Sequence, residues 1–234
     1  MTAKEIFDIL KITGIDADAN TFTSEDIENN AFWAFAEYLE KNGYNFDYNI
    51  YHGATKAVIV PNNEDFVIKI PFAGYVDYDN QSCDYDEDTN TWIYNDEYDP
   101  FVPLKYDYCR LEKENYEYAR ENDVEDYFAK IVLIDFIDGF AIYVQEKVES
   151  FYSSKSRTHY SEAERKELTK SYKYEDLERI PPDWALDFIH TYGEEEFINF
   201  LNFTIDYHIN DLHGENVAYR NGKPILCDYS GFWE

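Results

Sequence analysis

The pattern of hydrophobic and polar positions predicts a strand-rich first part of the chain and a helical last part. Five stretches have the alternating or continuous apolar character of strands: residues 48–52, 57–60, 66–72, 131–136 and 140–145. Asp138-Gly139 lies between the last two, and this dipeptide favours a two-residue hairpin turn. We therefore expect a five-stranded antiparallel sheet.

Elsewhere, apolar residues recur every three or four positions, which predicts helices. The expected helices are a short one beginning at the Thr2–Glu5 capping box, then residues 24–42, 108–122, 161–170, 183–192 and 194–207. One face of the helix at 108–122 is expected to carry Leu111, Asn115, Tyr118 and Ala119. Gly43 should end the second helix, and Asn221-Gly222 should turn a final hairpin of residues 216–219 and 224–227.

Two segments lack the pattern of either element. Residues 74–99 are rich in Asp, Asn and Tyr and poor in aliphatic residues, so we interpret them as an exposed acidic insertion without a core element. Residues 150–158 are polar and rich in serine, which is linker composition. We therefore predict two lobes: residues 1–148 with two leading helices, the insertion and the sheet, and residues 149–234 with helices and the final hairpin.

The balance of charge restricts the function. The 234 residues include 20 Lys+Arg and 49 Asp+Glu, a formal net charge of −29 at pH 7. Such a field repels phosphates and excludes ordinary nucleic-acid binding, while 19% aromatic residues supply enough apolar material for a core. Cys83, Cys109 and Cys227 cannot all pair within one chain, which favours a reducing compartment. The sequence has no apolar run that could span or target a membrane, so we expect a cytoplasmic protein without a membrane partner.

Three polar residues around the final hairpin form the strongest candidate site. Asp211 and Asn216 precede its two strands, and Asp228 follows them. Phosphoryl transfer needs a carboxylate near the attacking hydroxyl and oxygen ligands that hold Mg²⁺ against nucleotide phosphates. The residue types and their order predict Asp211 as a catalytic residue and Asn216 and Asp228 as metal ligands.

The sequence Asp-Leu-His-Gly-Glu-Asn at residues 211–216, with Cys-Asp-Tyr-Ser-Gly at 227–231, resembles the catalytic loop and metal-binding motif of the protein-kinase-like superfamily. The position of His213 is more similar to the aminoglycoside and choline kinase branch, and to atypical or phage-encoded kinase-like proteins, than to ordinary Ser/Thr kinases. Ile209 stands where the family usually has a histidine. The resemblance covers roughly residues 48–231 and implies a two-lobed α+β fold with a reduced helical C-terminal lobe.

The resemblance also implies roles for residues of the predicted sheet and its helix. Lys69, in Phe-Val-Ile-Lys-Ile, matches the strand-three lysine that contacts nucleotide phosphates, and Glu112, or alternatively Glu114, would orient it. ATP and Mg²⁺ are the implied cofactors, and Lys69, Glu112 and Asp211 are the implied catalytic residues. The implied nucleotide-binding residues are Gly53, Thr55 and Lys56 of a reduced glycine loop, Lys69, and Gln145, Glu146 and Val148 of a hinge that would bind adenine.

These features indicate an ATP- and Mg²⁺-dependent phosphotransferase of unknown acceptor. Only six residues follow Asp228, so the segment that shapes the substrate site in the family is missing. The alternative is a kinase-fold binding protein, or pseudokinase, whose acidic surface engages a basic protein partner. That alternative includes a nucleic-acid mimic, such as a viral or mobile-element inhibitor. In that alternative, the insertion at 74–99 is a docking surface. Otherwise it is a solvated loop that keeps the protein in solution.

Overall fold

The chain folds into a mixed α+β structure. The computed structural model describes residues 37, 40–43, 47–72, 74–76, 83–94, 101–137, 140–172 and 179–231. The predicted first helix lies outside these ranges, as does most of the second. Gly43 has a φ of 71° and its N–H donates to the carbonyl of Glu40, as expected of a residue that ends a helix. No helix in the described ranges is long and apolar enough to cross a membrane.

The described ranges contain twelve strands and four α-helices. The strands are β1 (Tyr48–His52), β2 (Lys56–Pro61), β3 (Phe66–Pro71), β4 (Gly74–Val76), β5 (Cys83–Asp86), β6 (Thr91–Tyr94), β7 (Phe101–Pro103), β8 (Ile131–Ile137), β9 (Phe140–Glu146), β10 (Glu149–Ser150), β11 (Val217–Arg220) and β12 (Lys223–Leu226). The helices are α1 (Tyr108–Glu121), α2 (Glu162–Ser171), α3 (Pro182–Tyr192) and α4 (Glu194–Asp206), with one 3₁₀ turn at Glu125–Tyr127.

The predicted five-stranded antiparallel sheet is confirmed. Its strand order is β1-β2-β3-β9-β8, and the β1/β2 register places Ile50 opposite Ile59. The middle strand β3 is buried along nearly its whole length, including Ile68 and Lys69. A strand covered on both faces reads as a continuous apolar run, which is why Phe66–Pro71 lacks a clean alternation.

The chain divides into two compact units. Of the described residues, the first unit takes those up to Asn62, Lys69–Asp107 and Asp135–Ile142, and the second takes Asn63–Ile68, Tyr108–Ile134 and the residues from Tyr143 onward. Helix α1, which the sequence assigned to an N-terminal lobe, groups here with the C-terminal helices. The lobe boundary at residue 148 stays a prediction.

The acidic insertion contains more regular structure than expected. Strands β4 and β7 form one two-stranded sheet, and β5 and β6 form another, with Tyr85 opposite Trp92. We expected an exposed insertion without a core element, and these strands show that it nevertheless contains paired regular structure. The hairpin tip is exposed as predicted, including Glu87 and Asp88.

An aromatic core holds the second unit together. Phe188 of α3 and Phe200 of α4 lie 5.0 Å apart between ring centroids, and Tyr127 lies 5.0 Å from Phe188. Trp184 is fully buried, and its Nε1 donates to the carbonyl of Ala218 on β11 at 3.2 Å. Helices α3 and α4 and the final hairpin therefore share one core, on which the residues before and after the hairpin are positioned.

The segment at 150–158 is not a linker. Strand β10 pairs with β11, Phe151 is only 3% exposed, and the guanidinium of Arg157 lies 4.1 Å from the Phe151 ring centroid. Arg157 also pairs with the buried Asp183 of α3 at 3.1 Å. The linker prediction is wrong because composition does not reveal that one buried aromatic residue and one ion pair attach this polar segment to the second unit.

The face of α1 that is buried differs from the predicted one. Tyr108, Glu112, Asn115 and Ala119 are buried, whereas Tyr118 is 40% exposed and stacks on Tyr207. The expectation that Tyr118 shares the inner face is therefore wrong. Two polar residues take inner positions instead, since each has a buried hydrogen-bond partner. Cys109 and Cys227 are free thiols, and the cytoplasmic location stays a prediction.

Candidate functional site

The loop of residues 208–216 begins where α4 ends and is anchored by burial. His208 has a φ of 56°, which turns the chain away from the helix. Ile209 and Leu212 are each 1% exposed and belong to the aromatic core. Burying an aliphatic side chain contributes about 1.5–3 kcal/mol, so these two residues fix the loop on the core. The apolar Ile209 thus supplies a packing contact at the start of the loop.

Asn216 holds Asp211 in place. The Nδ2 group of Asn216 donates to the backbone oxygen of Asp211 at 2.6 Å and to Asp211 Oδ2 at 3.1 Å. The same Nδ2 lies 3.3 Å from His213 Nε2. Because Nδ2 is a donor only, Oδ1 is the atom with which Asn216 would bind a cation. The Asp211 side chain is 34% exposed and is accessible to a substrate.

His213 supports the same carboxylate. Its Nδ1 accepts the backbone N–H of Glu215 at 3.2 Å. Nε2 lies 3.5 Å from Asp211 Oδ2. The ring therefore acts as a hydrogen-bonding residue of the loop.

The hairpin brings Asn216 and Asp228 together. The backbone oxygen of Asn216 accepts the N–H of Cys227 at 2.7 Å and the N–H of Asp228 at 3.2 Å. The paired strands β11 and β12, from Val217↔Leu226 to Arg220↔Lys223, set this register. The two predicted metal ligands are thus neighbours at the open end of the hairpin, and Asp211 is bonded to one of them.

The turn after Asp228 packs against the start of the loop. Ser230 Oγ donates to Asp228 Oδ1 at 3.2 Å and orients the half-buried carboxylate. Gly231 has a φ of 70°, and a Cβ atom there would collide with the backbone oxygen of His208. A glycine is required at this position, both for the left-handed backbone and for the close approach.

A buried polar network connects α1 to the residue after Asp228. Gln145 Nε2 donates to Glu112 Oε1 at 3.1 Å and to the Tyr229 hydroxyl at 3.3 Å, and that hydroxyl donates to the carbonyl of Ala129 at 2.6 Å. Asn115 Nδ2 donates to the backbone oxygen of Tyr229 at 2.7 Å. Burial, and then the negative charge of Glu112, raise the pKa of Tyr229 well above its usual value, so the phenol remains a donor.

This network distinguishes the two acids proposed for α1. Glu112 is 2% exposed and accepts a buried hydrogen bond, whereas Glu114 pairs at the surface with Arg110 at 3.0 Å. The buried geometry favours Glu112 as the functional acid. Its role toward Lys69 stays a prediction.

Hydrogen bonds hold Glu146 and Lys147 of the predicted hinge in place. Glu146 Oε1 accepts from the Lys130 N–H and from Arg220 Nη1, each at 2.7 Å, and the Glu146 N–H donates to the Lys130 carbonyl at 2.8 Å. The N–H of Lys147 donates to the carbonyl of Asp65 at 2.8 Å. An adenine contact through a hinge N–H would therefore fall to Val148. The Gln145 side chain already hydrogen-bonds to Glu112 and Tyr229 in the buried network.

The remaining predicted residues lie in the first unit, on β2, β3 and the turn before β2. Gly53 donates its N–H to the Lys56 carbonyl at 3.0 Å, and the Thr55 carbonyl accepts from Phe72 at 2.9 Å. The Gly53 amide is thus used within the turn rather than offered to phosphate. Lys56 and Lys69 are each 4% exposed. The nucleotide roles of these four residues stay predictions.

Several residues that shape the candidate site are absent from the sequence prediction. Tyr229, Asn115 and Arg220 act through partners that are far away in sequence, so neither periodicity nor local motifs identify those partners. One signal was available for Asn115, because a polar residue at a helical core position requires a buried partner.

The donor set around the hairpin fits Mg²⁺. Asn216 Oδ1 and the Asp228 carboxylate are hard oxygen ligands of the kind this ion prefers. Within the described ranges, no group of three or more His, Cys, Asp or Glu side chains is placed to hold a metal. A magnesium site does not require one, since Mg²⁺ commonly binds one or two protein oxygens together with phosphates and water.

Comparison with known proteins does not assign the chain to a family. No protein-family model matches it, and no curated protein matches it either.

Proposed function

We propose that this chain is an ATP- and Mg²⁺-dependent phosphotransferase with a kinase-like two-lobed fold. The observation that carries the proposal is the arrangement of Asp211, Asn216 and Asp228. Asn216 bonds to Asp211 through its side chain and to Asp228 through its backbone oxygen. A carboxylate for the acceptor, an amide oxygen and a second carboxylate are the protein groups that phosphoryl transfer uses.

Each group has a defined task in this proposal. Asp211, oriented by Asn216 and His213, receives the proton of the acceptor hydroxyl. Asn216 Oδ1 and the Asp228 carboxylate would hold Mg²⁺, which when bound would neutralise charge on the phosphates. Ser230 keeps the Asp228 carboxylate in one orientation.

The other catalytic groups follow from the resemblance. Lys69 would contact the phosphates, Glu112 would orient Lys69, and the hinge around Val148 would bind adenine. Glu112 is buried and bonded to Gln145, as a positioning acid should be. Lys69→Met should therefore weaken ATP binding more than AMP binding, because the lysine is assigned to the β and α phosphates.

A thermal-shift series tests nucleotide binding. The parent is heated with ATP, GTP or AMP, each with and without Mg²⁺. A ligand that binds only the folded state at about 100 times Kd adds about 2.7 kcal/mol of stability, which raises Tm by several degrees. We expect the largest shift with ATP and Mg²⁺ together. Thermal unfolding curves that are the same in the absence and in the presence of each nucleotide would contradict the proposal.

Asp211→Asn separates binding from turnover. The amide keeps the size of the side chain but cannot receive the acceptor proton, so we expect the Mg·ATP shift to persist while ATP turnover falls about 10²-fold or more. An Asp211→Asn variant that turns over ATP at the parental rate would remove Asp211 from the mechanism.

A binding role for the acidic surface is the second candidate. The tip of the β5/β6 hairpin exposes Glu87 and Asp88 on a chain of formal net charge −29. Asp86 in the same tip has a structural task, because its carboxylate accepts from Thr89 Oγ1 at 2.7 Å and from the Asp88 N–H at 2.9 Å. The Thr89 hydroxyl, followed by the Asp88 amide, lowers the pKa of Asp86.

The binding role is tested by neutralising Glu87 and Asp88 while keeping Asp86. If the tip captures a basic protein, Glu87→Gln/Asp88→Asn should weaken that capture most strongly at low salt and leave the Mg·ATP shift intact. Asp86→Asn serves as the control for hairpin damage. Equal capture by the parent and the double variant at every salt concentration would rule out docking at this tip.

A further inference from the structure

An exposed tyrosine lies against the loop that carries Asp211. Tyr152 is 65% exposed, and its ring contacts Gly214, halfway between His213 and Glu215. A Cβ atom on Gly214 would collide with the Tyr152 hydroxyl and would lie 2.7 Å from its Cζ atom. The absence of a side chain at Gly214 therefore allows the phenol end of Tyr152 to reach this loop.

The backbone of Tyr152 is held beside the candidate site. Ser150 pairs with Ala218, and the Phe151 N–H donates to the Val217 carbonyl at 3.3 Å. Strand β11 begins directly after Asn216, so the segment before Tyr152 pairs with the strand that leaves the loop. The neighbouring Phe151 is buried, while the Tyr152 ring is not. The Tyr152 ring lies edge-on to Phe151, with 5.3 Å between the ring centroids.

The hydroxyl lies against the loop that carries the proposed base. Gly214 follows Asp211 by three residues, and three extended residues span at most about 10 Å. The Tyr152 hydroxyl contacts Gly214, and the Asp211 carboxylate is 34% exposed.

We propose that Tyr152 is a site of self-phosphorylation, at which its hydroxyl accepts the γ-phosphoryl group of ATP bound to the same molecule. This inference rests on the proposed function. A bond forms between Tyr152 Oη and the γ-phosphorus, and the bond from that phosphorus to the β–γ bridging oxygen breaks. ADP leaves with that oxygen. The phenol proton passes to Asp211 and then to solvent.

The test uses the full chain incubated with Mg·ATP and mapped by peptide mass spectrometry. We expect one phosphoryl group on Tyr152, formed at a first-order rate that does not change with protein concentration. Tyr152→Phe should lose the label and keep the Mg·ATP thermal shift. Tyr118→Phe is the matched control, because Tyr118 is also an exposed tyrosine, and it should be labelled like the parent.

Several outcomes would overturn the inference. They are phosphate on Ser153, Ser154 or Ser156 with Tyr152 unmodified, a labelling rate per molecule that rises with protein concentration, and a chain that turns over Mg·ATP but carries no label. In these cases the proposed phosphotransferase would survive. A parent chain that neither binds nor turns over Mg·ATP would overturn the proposed function and this inference together.

Discussion

The loop of residues 208–216 and the turn of residues 53–56 were both assigned to a nucleotide by their sequences, yet they are built differently. In the loop, buried Ile209 and Leu212 anchor the backbone and side-chain hydrogen bonds orient Asp211. In the turn, Gly53 and Ala54 are exposed, and the Gly53 amide is used in a local hydrogen bond. The loop has the preorganisation that chemistry requires, whereas the turn has few groups to offer a phosphate.

Leu212→Ala should have the largest effect on this comparison. Truncation of a leucine that is 1% exposed removes core contacts and leaves a cavity, so we expect a loss of about 2–5 kcal/mol in the free energy of unfolding. Ala54→Ser in the exposed turn is the control and should change that free energy by less than about 0.5 kcal/mol. Chemical denaturation of both variants measures the difference. Equal losses would show that the loop is no better anchored than the turn.

Gly231→Ala and Gly53→Ala compare the effect of an added methyl group next to the start of the loop with its effect in the turn. Gly231 has a φ of 70° and packs against His208, so alanine there should destabilise the fold by about 2 kcal/mol or more. An added Cβ on Gly53 has no heavy atom within 4 Å, and that residue lacks a left-handed backbone. Gly53→Ala should therefore be neutral or stabilise by up to about 1 kcal/mol. Thermal unfolding checks both, and a reversed order would contradict the packing described.

Asp183→Asn tests the attachment of residues 150–158 to α3 as a function of pH. Burial favours the neutral acid, but hydrogen bonds from Arg157 and Arg165 outweigh it and hold the pKa of Asp183 below its usual value of 3.8. A lowered pKa stabilises the fold above the unfolded value, and that contribution is lost as pH falls through the folded value.

The expected penalty for Asp183→Asn is about 1–3 kcal/mol at pH 7, and it should shrink below about pH 4. Urea denaturation at several pH values measures it. Glu167→Gln, at a side chain 73% exposed, is the control and should have little effect at any pH. A penalty for Asp183→Asn that stays constant down to pH 3 would mean that the charge of Asp183 contributes nothing.

Local signals explain which parts of the fold the sequence could predict. The Asn221-Gly222 turn is contained in a few neighbouring residues, and its hairpin forms as expected. The helix expected at 161–170 also forms, and it begins at a capping box of Ser161 with Glu164. The packing of residues 150–158 depends on Arg157 and Asp183, which are 26 residues apart. Such a contact leaves no periodic trace in the sequence.

The candidate site also contains both local contacts, which the sequence can predict, and contacts between distant residues, which it cannot. The hairpin fixes the distance between Asn216 and Asp228 through local pairing, so their proximity could be predicted from the turn dipeptide and the strand lengths. The link from Gln145 to Glu112 and Tyr229 spans 33 and 84 residues and could not. Polar residues at helical core positions, such as Asn115, are the nearest signal that a sequence offers for such a network.

The central claim is that Asn216 and Asp228 hold the magnesium of a bound nucleotide. The most direct measurement is a Mg²⁺ titration of the ATP-dependent thermal shift in the parent and in Asp228→Ala. The half-buried Asp228 has a small packing role, so we expect the variant to fold and to lose the Mg²⁺-dependent part of the shift. A variant whose shift responds to Mg²⁺ as the parent's does would contradict the claim.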